Sequence, residues 1–382
     1  MDLQTRINEI EDFLRYAAEQ WLAVRPTVKD EIAQRCGRCI VSERYAPLID
    51  GICSICLEEC EPGFSTAAEP RQDNMRMASA LAEILRQSEG RGRCRYDALV
   101  LFSGGKDSAY LVYRLLQEHP RLRLLAVTID NGFFSQVAMA NCVSILERID
   151  KVDHIVFKPK PGLYVRTFRH ALTHLNPGGC YTTVDRMDGD LAFDCGRNLA
   201  ASLDIPLVIA GLSPGQVERI LELRWFETRR EVELSRRVES AGFDLSSVYS
   251  PEDLSYWWDG TRWPEDRVPR VLYPYYAWGY NEEWVRGEVV RLGLIGHGND
   301  NPIITNNDTI PVMLAVDSAV MGYSGFEPEF AELVRHGRAD RNFWLNVFES
   351  LEYLTKHGRF LPRCIDDTLG RLGLTRSEVG IP

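Results

Sequence analysis

Residues 101–108, Leu-Phe-Ser-Gly-Gly-Lys-Asp-Ser, constrain this chain more than any other stretch. The run before them, 96–102 (YDALVLF), is apolar enough for a buried strand, and 109–116 (AYLVYRLL) repeats apolar residues at helical spacing. A strand that becomes a helix through two adjacent glycines brings backbone N–H groups to a helix N-terminus, where the helix dipole favours an anion. Gly104 and Gly105 permit close backbone approach, Lys106 adds a mobile positive charge, and the Ser103 and Ser108 hydroxyls add short hydrogen bonds. The stretch reads as a cradle for polyphosphate. Asp107 lies inside it, where a carboxylate beside phosphate is repelled unless Mg2+ or a backbone donor compensates it. Capping of the helix is an equally open role for Asp107.

Strands and helices continue to alternate downstream, with strands at 122–130, 154–158 and 206–211 and helices near 137–149, 164–175 and 197–203. This pattern predicts an α/β fold with a doubly wound parallel sheet and ligands at the carboxyl ends of its strands. Two further turns are therefore candidates. Asp130 and Gly132, in Asp-Asn-Gly after the second strand, are placed to meet adenine or ribose. Gly211, in Gly-Leu-Ser-Pro-Gly-Gln after the fourth, is placed to cover the nucleotide or an acceptor, with Ser213, Gln216 and Glu218 as polar contacts. Ordinary turns are the competing reading of both. Residues 217–382 lack the alternation and read as mostly helical. The expected organisation is a helix at 1–35, a cysteine knot at 36–60, a connector at 61–95 around a helix at 75–87, a nucleotide-binding domain at 96–216 and a helical acceptor-binding region at 217–382.

Cys36-x2-Cys39 and Cys53-x2-Cys56 put four thiols on two tight turns, the arrangement that tetrahedral Zn2+ requires, with no position left open for water. An iron–sulfur cluster is the rival occupant, and Cys60 is a spare thiol. Cys180 and Cys195 bracket a segment joining the third and fourth strand regions, where a loop would overhang the phosphate site. As a pair they suit persulfide chemistry, in which disulfide formation releases sulfur; incidental thiols are the alternative. Asp185, Asp188, Asp190 and Asp194 in the same segment are candidates for Mg2+ or an amine. Further on, Asn306-Asn-Asp308 and Gly322-Tyr-Ser-Gly-Phe-Glu-Pro-Glu329 stand out as polar turns, with Arg338, Arg341 and Lys356 as nearby charge.

Composition excludes some classes. With 55 acidic against 44 basic residues the net charge is -11, which disfavours nonspecific nucleic-acid binding and makes tRNA a less favoured partner. The opening MDLQTRINEIEDFL lacks the apolar core of a signal peptide, and no run approaches the ~18 apolar residues of a membrane span. The expectation is a cytoplasmic protein with no membrane partner. Its ten cysteines, paired as they are, point to metal in a reducing compartment rather than to disulfides.

Ser-Gly-Gly-Lys-Asp-Ser at 103–108 resembles the PP-loop motif of the ATP pyrophosphatases, also called adenine nucleotide alpha hydrolases. That resemblance implies a HUP-like sheet, cleavage of ATP between its α and β phosphates, and an adenylated intermediate. With the four-cysteine knot ahead of the motif and Tyr323 to Arg341 behind it, the order of elements is similar to the N-acetyl sugar amidotransferase group. This implies activation of an acceptor oxygen on a small molecule, a sugar or another biosynthetic intermediate, and its replacement by ammonia from a separate glutaminase. In this reading Lys106 and Asp107 carry the chemistry. The chain is also similar to tRNA and small-molecule thiolases, which implies a sulfur donor protein and catalytic roles for Cys180 and Cys195. A module that binds ATP without turnover, and a reductase of adenylated sulfate using Cys364, are further alternatives.

Overall fold

The computed structural model describes residues 1–59, 72–295, 307–337 and 339–382. Cys60, Asn306, Arg338 and residues 61–71 of the connector lie outside the described residues. The chain divides into two compact units, neither of them contiguous: Met1–Ala67 with Phe168–Asp185 and Asp308–Pro382, and Ala68–Thr167 with Arg186–Asn307.

The second unit is built on five parallel strands: β1 (Ala98–Leu101), β2 (Leu124–Ile129), β3 (Asp153–Phe157), β4 (Leu207–Ala210) and β5 (Arg270–Leu272). Their order is β3-β2-β1-β4-β5, with Ala98 opposite both Leu124 and Leu207. Alternate residues serve opposite faces, and both faces are covered, which is why the central strands read as unbroken apolar runs. Ala98, Val100, Leu124, Ala126 and Ile209 pack with Leu81 and Leu85 of the helix Gln72–Ser88 and with the helices Lys106–Glu118, Gln136–Ile149 and Glu282–Arg291. Leu99, Leu125, Val127, Val208 and Val271 pack on the other side with Ala200 and Val217, from the helices Arg186–Ser202 and Pro214–Leu221. The doubly wound sheet is as expected. Strand order reverses between β1 and β4, so the crevice at their carboxyl ends is the place where such a sheet takes a ligand.

Two elements differ from the sequence reading. β5 comes from the region taken as helical; three residues after a proline are too few to show a period, and only pairing with β4 makes them a strand. The segment from Cys180 to Cys195 is no loop. It is a π turn, Tyr181–Asp185, followed by the first half of the helix Arg186–Ser202. Its helical character was masked by acids that are neutralised inside the unit. Asp190 pairs with Arg186 (2.9 Å), while Asp194 pairs with Arg197 (2.9 Å) and Arg237 (2.6 Å) and accepts from the Trp258 N–H. Arg197 also meets Glu233 at 2.9 Å.

The first unit is helical around the cysteine knot, with no helix among the described residues long and apolar enough to cross a membrane. Ile10, Phe13, Ala17 and Trp21 form a buried stripe, whereas Leu22 is 61% exposed, because a π turn at Tyr16–Gln20 shifts the helical phase before it. The knot's second pair follows a hairpin, Leu48–Ile49 with Ile52–Cys53, turned by Asp50 and Gly51 at φ 50° and 79°. Positive φ at both positions is the Asp-Gly hairpin turn. Arg35, just before the first pair, is buried between Glu327 and Glu352, and the Ser42 N–H donates to Glu327. Burial alone would lower the Arg35 pKa; the two carboxylates outweigh it and hold it raised.

Removing one partner of a buried ion network leaves uncompensated charge, typically at a cost of about 3–5 kcal/mol. Arg35→Ala is expected to lose stability on that scale in urea unfolding, far more than Arg15→Ala, whose ion pair is exposed.

Candidate functional site

The cradle forms where β1 runs into the helix Lys106–Glu118, with Gly105 as the residue before its first turn. Gly104 has φ 71°, and a Cβ there would sit 2.7 Å from both the Ala138 carbonyl oxygen and the Cys142 sulfur. Backbone conformation and space both demand glycine. Ser103 and Ser108 close the turn. The Ser103 N–H donates to the Ser108 hydroxyl (3.3 Å), which donates in turn to the Gly105 carbonyl (3.1 Å), and the Gly105 N–H donates to the Ser103 hydroxyl (3.4 Å). The loop after β4 comes close as well: a Cβ on Gly211 would lie 3.3 Å from the Asp107 carbonyl. Gly104, Gly105, Lys106, Asp107, Ser108 and Gly211 are therefore brought together at the crevice between β1 and β4.

Charge at the cradle is already organised. Lys106 Nζ lies 2.9 Å from Asp107 Oδ2 and 3.4 Å from Glu282 Oε1. Burial would lower the Lys106 pKa, but the two carboxylates outweigh it and raise it, so the ammonium stays charged. Tyr280 donates to Asp107 Oδ1 (2.7 Å) and Tyr275 to the Asp107 carbonyl (2.7 Å). Burial and the nearby Asp107 push both phenols up, which keeps them as donors. Glu282, Tyr275 and Tyr280 were not singled out as site residues from sequence. Tyr275 sits in an aromatic run, Tyr273, Tyr275, Tyr276 and Trp278, that reads as core, and it is 1% exposed; Tyr280 lies just beyond that run. Asn281 followed by two acids is a helix-start signal that marks the position of Glu282 but not its partner.

After β2, Asp130 accepts from the Gly132 N–H (2.8 Å) and from Lys158 (2.8 Å), and Gly132 has φ 81°, so this carboxylate shapes its own turn. Asn131 beside it donates to Asp188, as does Asn307, at 3.0 and 3.1 Å. Gly196 packs against Leu101 at the end of β1, and Asp188, two turns earlier on the same helix, lies beside Asn131 of the turn after β2. Its neighbours are neutral amides, and burial raises its carboxyl to about 6. Asp190 and Asp194 are consumed by arginines, as described above. Ser213 and Gln216 cap the helix Pro214–Leu221 reciprocally, and Glu218 accepts from Tyr276.

Cys180 belongs to the first unit and Cys195 to the second, and both are buried. Burial drives both thiols well above their ordinary range, with Asp317 adding to the effect at Cys180 and Asp194 at Cys195. The Cys180 N–H donates to Asp317 (2.7 Å), which also holds the Gly325 N–H. Cys364 is buried too, its thiol pushed up to about 12. Tyr323 packs edge-on to Tyr45, and Lys356 pairs with Glu352.

In the first unit Cys36, Cys39, Cys53 and Cys56 are fully buried and their sulfurs all lie within 4.8 Å of one another. Cys39 and Cys53 are 3.7 Å apart, against about 3.8 Å for two sulfurs tetrahedrally bound to one ion at ~2.3 Å. The four thiols fit a single metal ion. Burial would raise the Cys36 thiol, but the N–H groups of Cys53, Cys39 and Arg38 outweigh it and lower it to about 6. Arg341 donates to the Cys39 and Cys36 carbonyls, both at 2.8 Å, which ties the knot to the helix Arg341–Lys356. Arg335 pairs with Glu59 at 3.0 Å, while its buried Nη1 has no oxygen or nitrogen partner among the described residues and the guanidinium faces Cys39.

No family model and no curated protein matches this chain. Solved structures with some likeness include the U34-tRNA thiolase NcsA from Methanococcus maripaludis with its 4Fe–4S cluster (12% identity, 90% of this chain and 91% of that one, TM-score 0.35). Others are NMN synthetase from Francisella tularensis (14%, 37% and 56%, 0.25) and the NH3-dependent NAD synthetase from Campylobacter jejuni subsp. jejuni NCTC 11168 in complex with nitrate (10%, 78% and 96%, 0.31). Likenesses at these TM-scores carry no weight for the site.

Two outcomes are expected. Arg335→Gln removes the cation beside a thiolate cluster and should weaken metal retention against a chelator about tenfold or more, the usual effect of losing a group that supports a ligand; Glu283→Gln should leave retention unchanged. For Asp188 the folded-state value of about 6 lies above the ordinary 3.8, so ionisation is disfavoured in the fold. Its contribution is favourable below about pH 4 and is lost as pH rises through 6. The melting temperature of Asp188→Asn, relative to wild type, should therefore improve between pH 5 and pH 8.

Proposed function

We propose that this protein is an adenylating enzyme of the PP-loop type, which cleaves ATP to AMP and pyrophosphate to activate an acceptor oxygen that nitrogen then replaces. The observation that carries the reading is the Ser103–Ser108 turn: a glycine-enforced strand-to-helix junction at the strand-order switch, with Lys106 in the first helical turn. Amides at a helix start, a lysine and two hydroxyls make a site for triphosphate. In the first step the acceptor oxygen bonds to the α-phosphorus and pyrophosphate leaves with the bridging oxygen. In the second, nitrogen bonds to the activated carbon, AMP leaves with the carbon–oxygen electron pair, and the nitrogen gives up a proton. Lys106 and the loop amides offset the negative charge that develops on the phosphates. Magnesium, carried in with ATP, supplies further neutralisation of the phosphate oxygens.

The other assignments in this reading are proposals of the same standing. Asp130, Gly132 and Gly211 border the nucleotide. The cysteine knot holds Zn2+ in a structural role, as its fit to one tetrahedral ion favours. The acceptor is a small molecule and ammonia comes from a separate glutaminase. Nitrogen is preferred to sulfur because both central thiols are buried and held in the neutral form, whereas the thiolate is the nucleophile.

The test is mass spectrometry of the nucleotide products after incubation with Mg·ATP, ammonium and a panel of small-molecule acceptors. AMP with pyrophosphate is expected, and Lys106→Ala should lower its formation about a hundredfold. ADP with phosphate would overturn the adenylation reading, and ATP binding without turnover would leave a binding module.

A further inference from the structure

Tyr275, Tyr280 and Glu282 reach the cradle from a segment far from the motif in sequence. Tyr275 and Tyr280 hold the two oxygens of Asp107 described above, and their rings pack edge-on with centroids 5.2 Å apart. Two residues on, Trp284 packs edge-on to Tyr110 at 5.0 Å, joining the helix Glu282–Arg291 to the helix Lys106–Glu118. The segment is thus anchored on both sides of Glu282. Held in this way, the Glu282 carboxylate stands 3.4 Å from Lys106 Nζ, with Asp107 Oδ2 at 2.9 Å. The only other ion partner of Glu282 among the described residues is Arg286, one turn on, also at 3.4 Å.

An ammonium cannot serve two carboxylates and a triphosphate equally. In the structure Lys106 is engaged by two carboxylates, and one of them comes from outside the motif. We propose that Glu282 is a competitive latch on Lys106: it holds the ammonium when the cradle carries no triphosphate and yields it when triphosphate binds, so that it sets the affinity for ATP. The proposal rests on the ATP reading of the cradle. Asp107 is the motif's own residue and stays beside Lys106 in either state, whereas Glu282 is the exchangeable partner. The competition acts only on a ligand that must draw Lys106 away from Glu282, so the latch weakens triphosphate binding and leaves a single phosphate group that does not reach Lys106 unaffected.

The test is calorimetric binding of α,β-methylene-ATP and of AMP, with Mg2+, to the full-length wild type, Glu282→Gln, Glu282→Ala, Glu283→Gln and Lys106→Ala. Glu283 is exposed and next in sequence, so its neutralisation changes the net charge equally without touching Lys106. Lys106 and Glu282 are each about one-fifth exposed, and pairs of that kind contribute modestly. Both Glu282 variants are expected to bind the analogue about three- to fivefold more tightly than wild type. They should thereby widen its preference over AMP, and Glu283→Gln should match wild type. Acylation of Lys106 by an amine-reactive reagent, followed by peptide mass spectrometry, should be faster in Glu282→Gln and suppressed by the analogue. If the Glu282 variants bind no more tightly than wild type, or if Glu283→Gln tightens binding equally, the latch is overturned. Absence of binding to wild type, or full binding by Lys106→Ala, would instead overturn the ATP reading of the cradle.

Discussion

Gly104 is held against the helix Gln136–Ile149 so closely that even a methyl group would overlap the Ala138 carbonyl and the Cys142 sulfur. That contact decides where β1 ends, how sharply the chain turns and where the next helix begins. The first-turn amides, the Lys106 side chain and the two serine hydroxyls all take their positions from it. A larger residue would move the turn away from the sheet, and the N–H groups would no longer converge on one point. Gly211 acts in the same way from the neighbouring strand, allowing the loop after β4 to lie against the Asp107 carbonyl. Two glycines on adjacent strands, at the point where strand order reverses, define the crevice.

Both compact units bury acids against basic partners, and two acids of the second unit depart from that pattern. In the first unit Glu327, Glu349 and Glu352 are each no more than 3% exposed and are bound by Arg35, Arg25, Lys356 and the Trp21 indole. In the second, Asp190, Asp194 and Glu233 surround Arg197 and Arg237. These groups organise the interior and have no spare valence for a ligand. Asp188 differs because its partners are two amides, and Asp107 differs because its carboxylate is held by one phenol and by a lysine shared with Glu282.

Much of the fold was legible because it follows from period and punctuation. The strands around 98–101, 124–129 and 207–210 are doubly buried, so their residues are apolar without interruption, and the helices between them carry clear apolar stripes. The paired cysteines are legible for a chemical reason: two residues between thiols is the span of one tight turn around an ion. What was missed has a physical reason in each case. β5 is too short to carry a period, and the helix Arg186–Ser202 hides its stripe behind acids that are neutralised by Arg186 and Arg197 of the same helix and by the distant Arg237. The burial of Cys180 and Cys195 is likewise invisible in their spacing.

By itself the sequence determined the parallel α/β class, the position of the cradle and the four thiols of the knot, because each is set by residues within one or two turns of one another. Local stereochemistry suffices there: glycine where φ is positive, an apolar run where both faces are covered, paired cysteines on tight turns. Only the tertiary structure decided which side chains confront Lys106, which aspartates are neutralised and which thiols are shielded from water. Those outcomes depend on segments more than a hundred residues apart, such as Lys106 and Glu282 or Cys180 and Asp317. An ion pair or a hydrogen bond acts over a few ångströms of space, and distance along the chain does not fix that separation until the chain has folded.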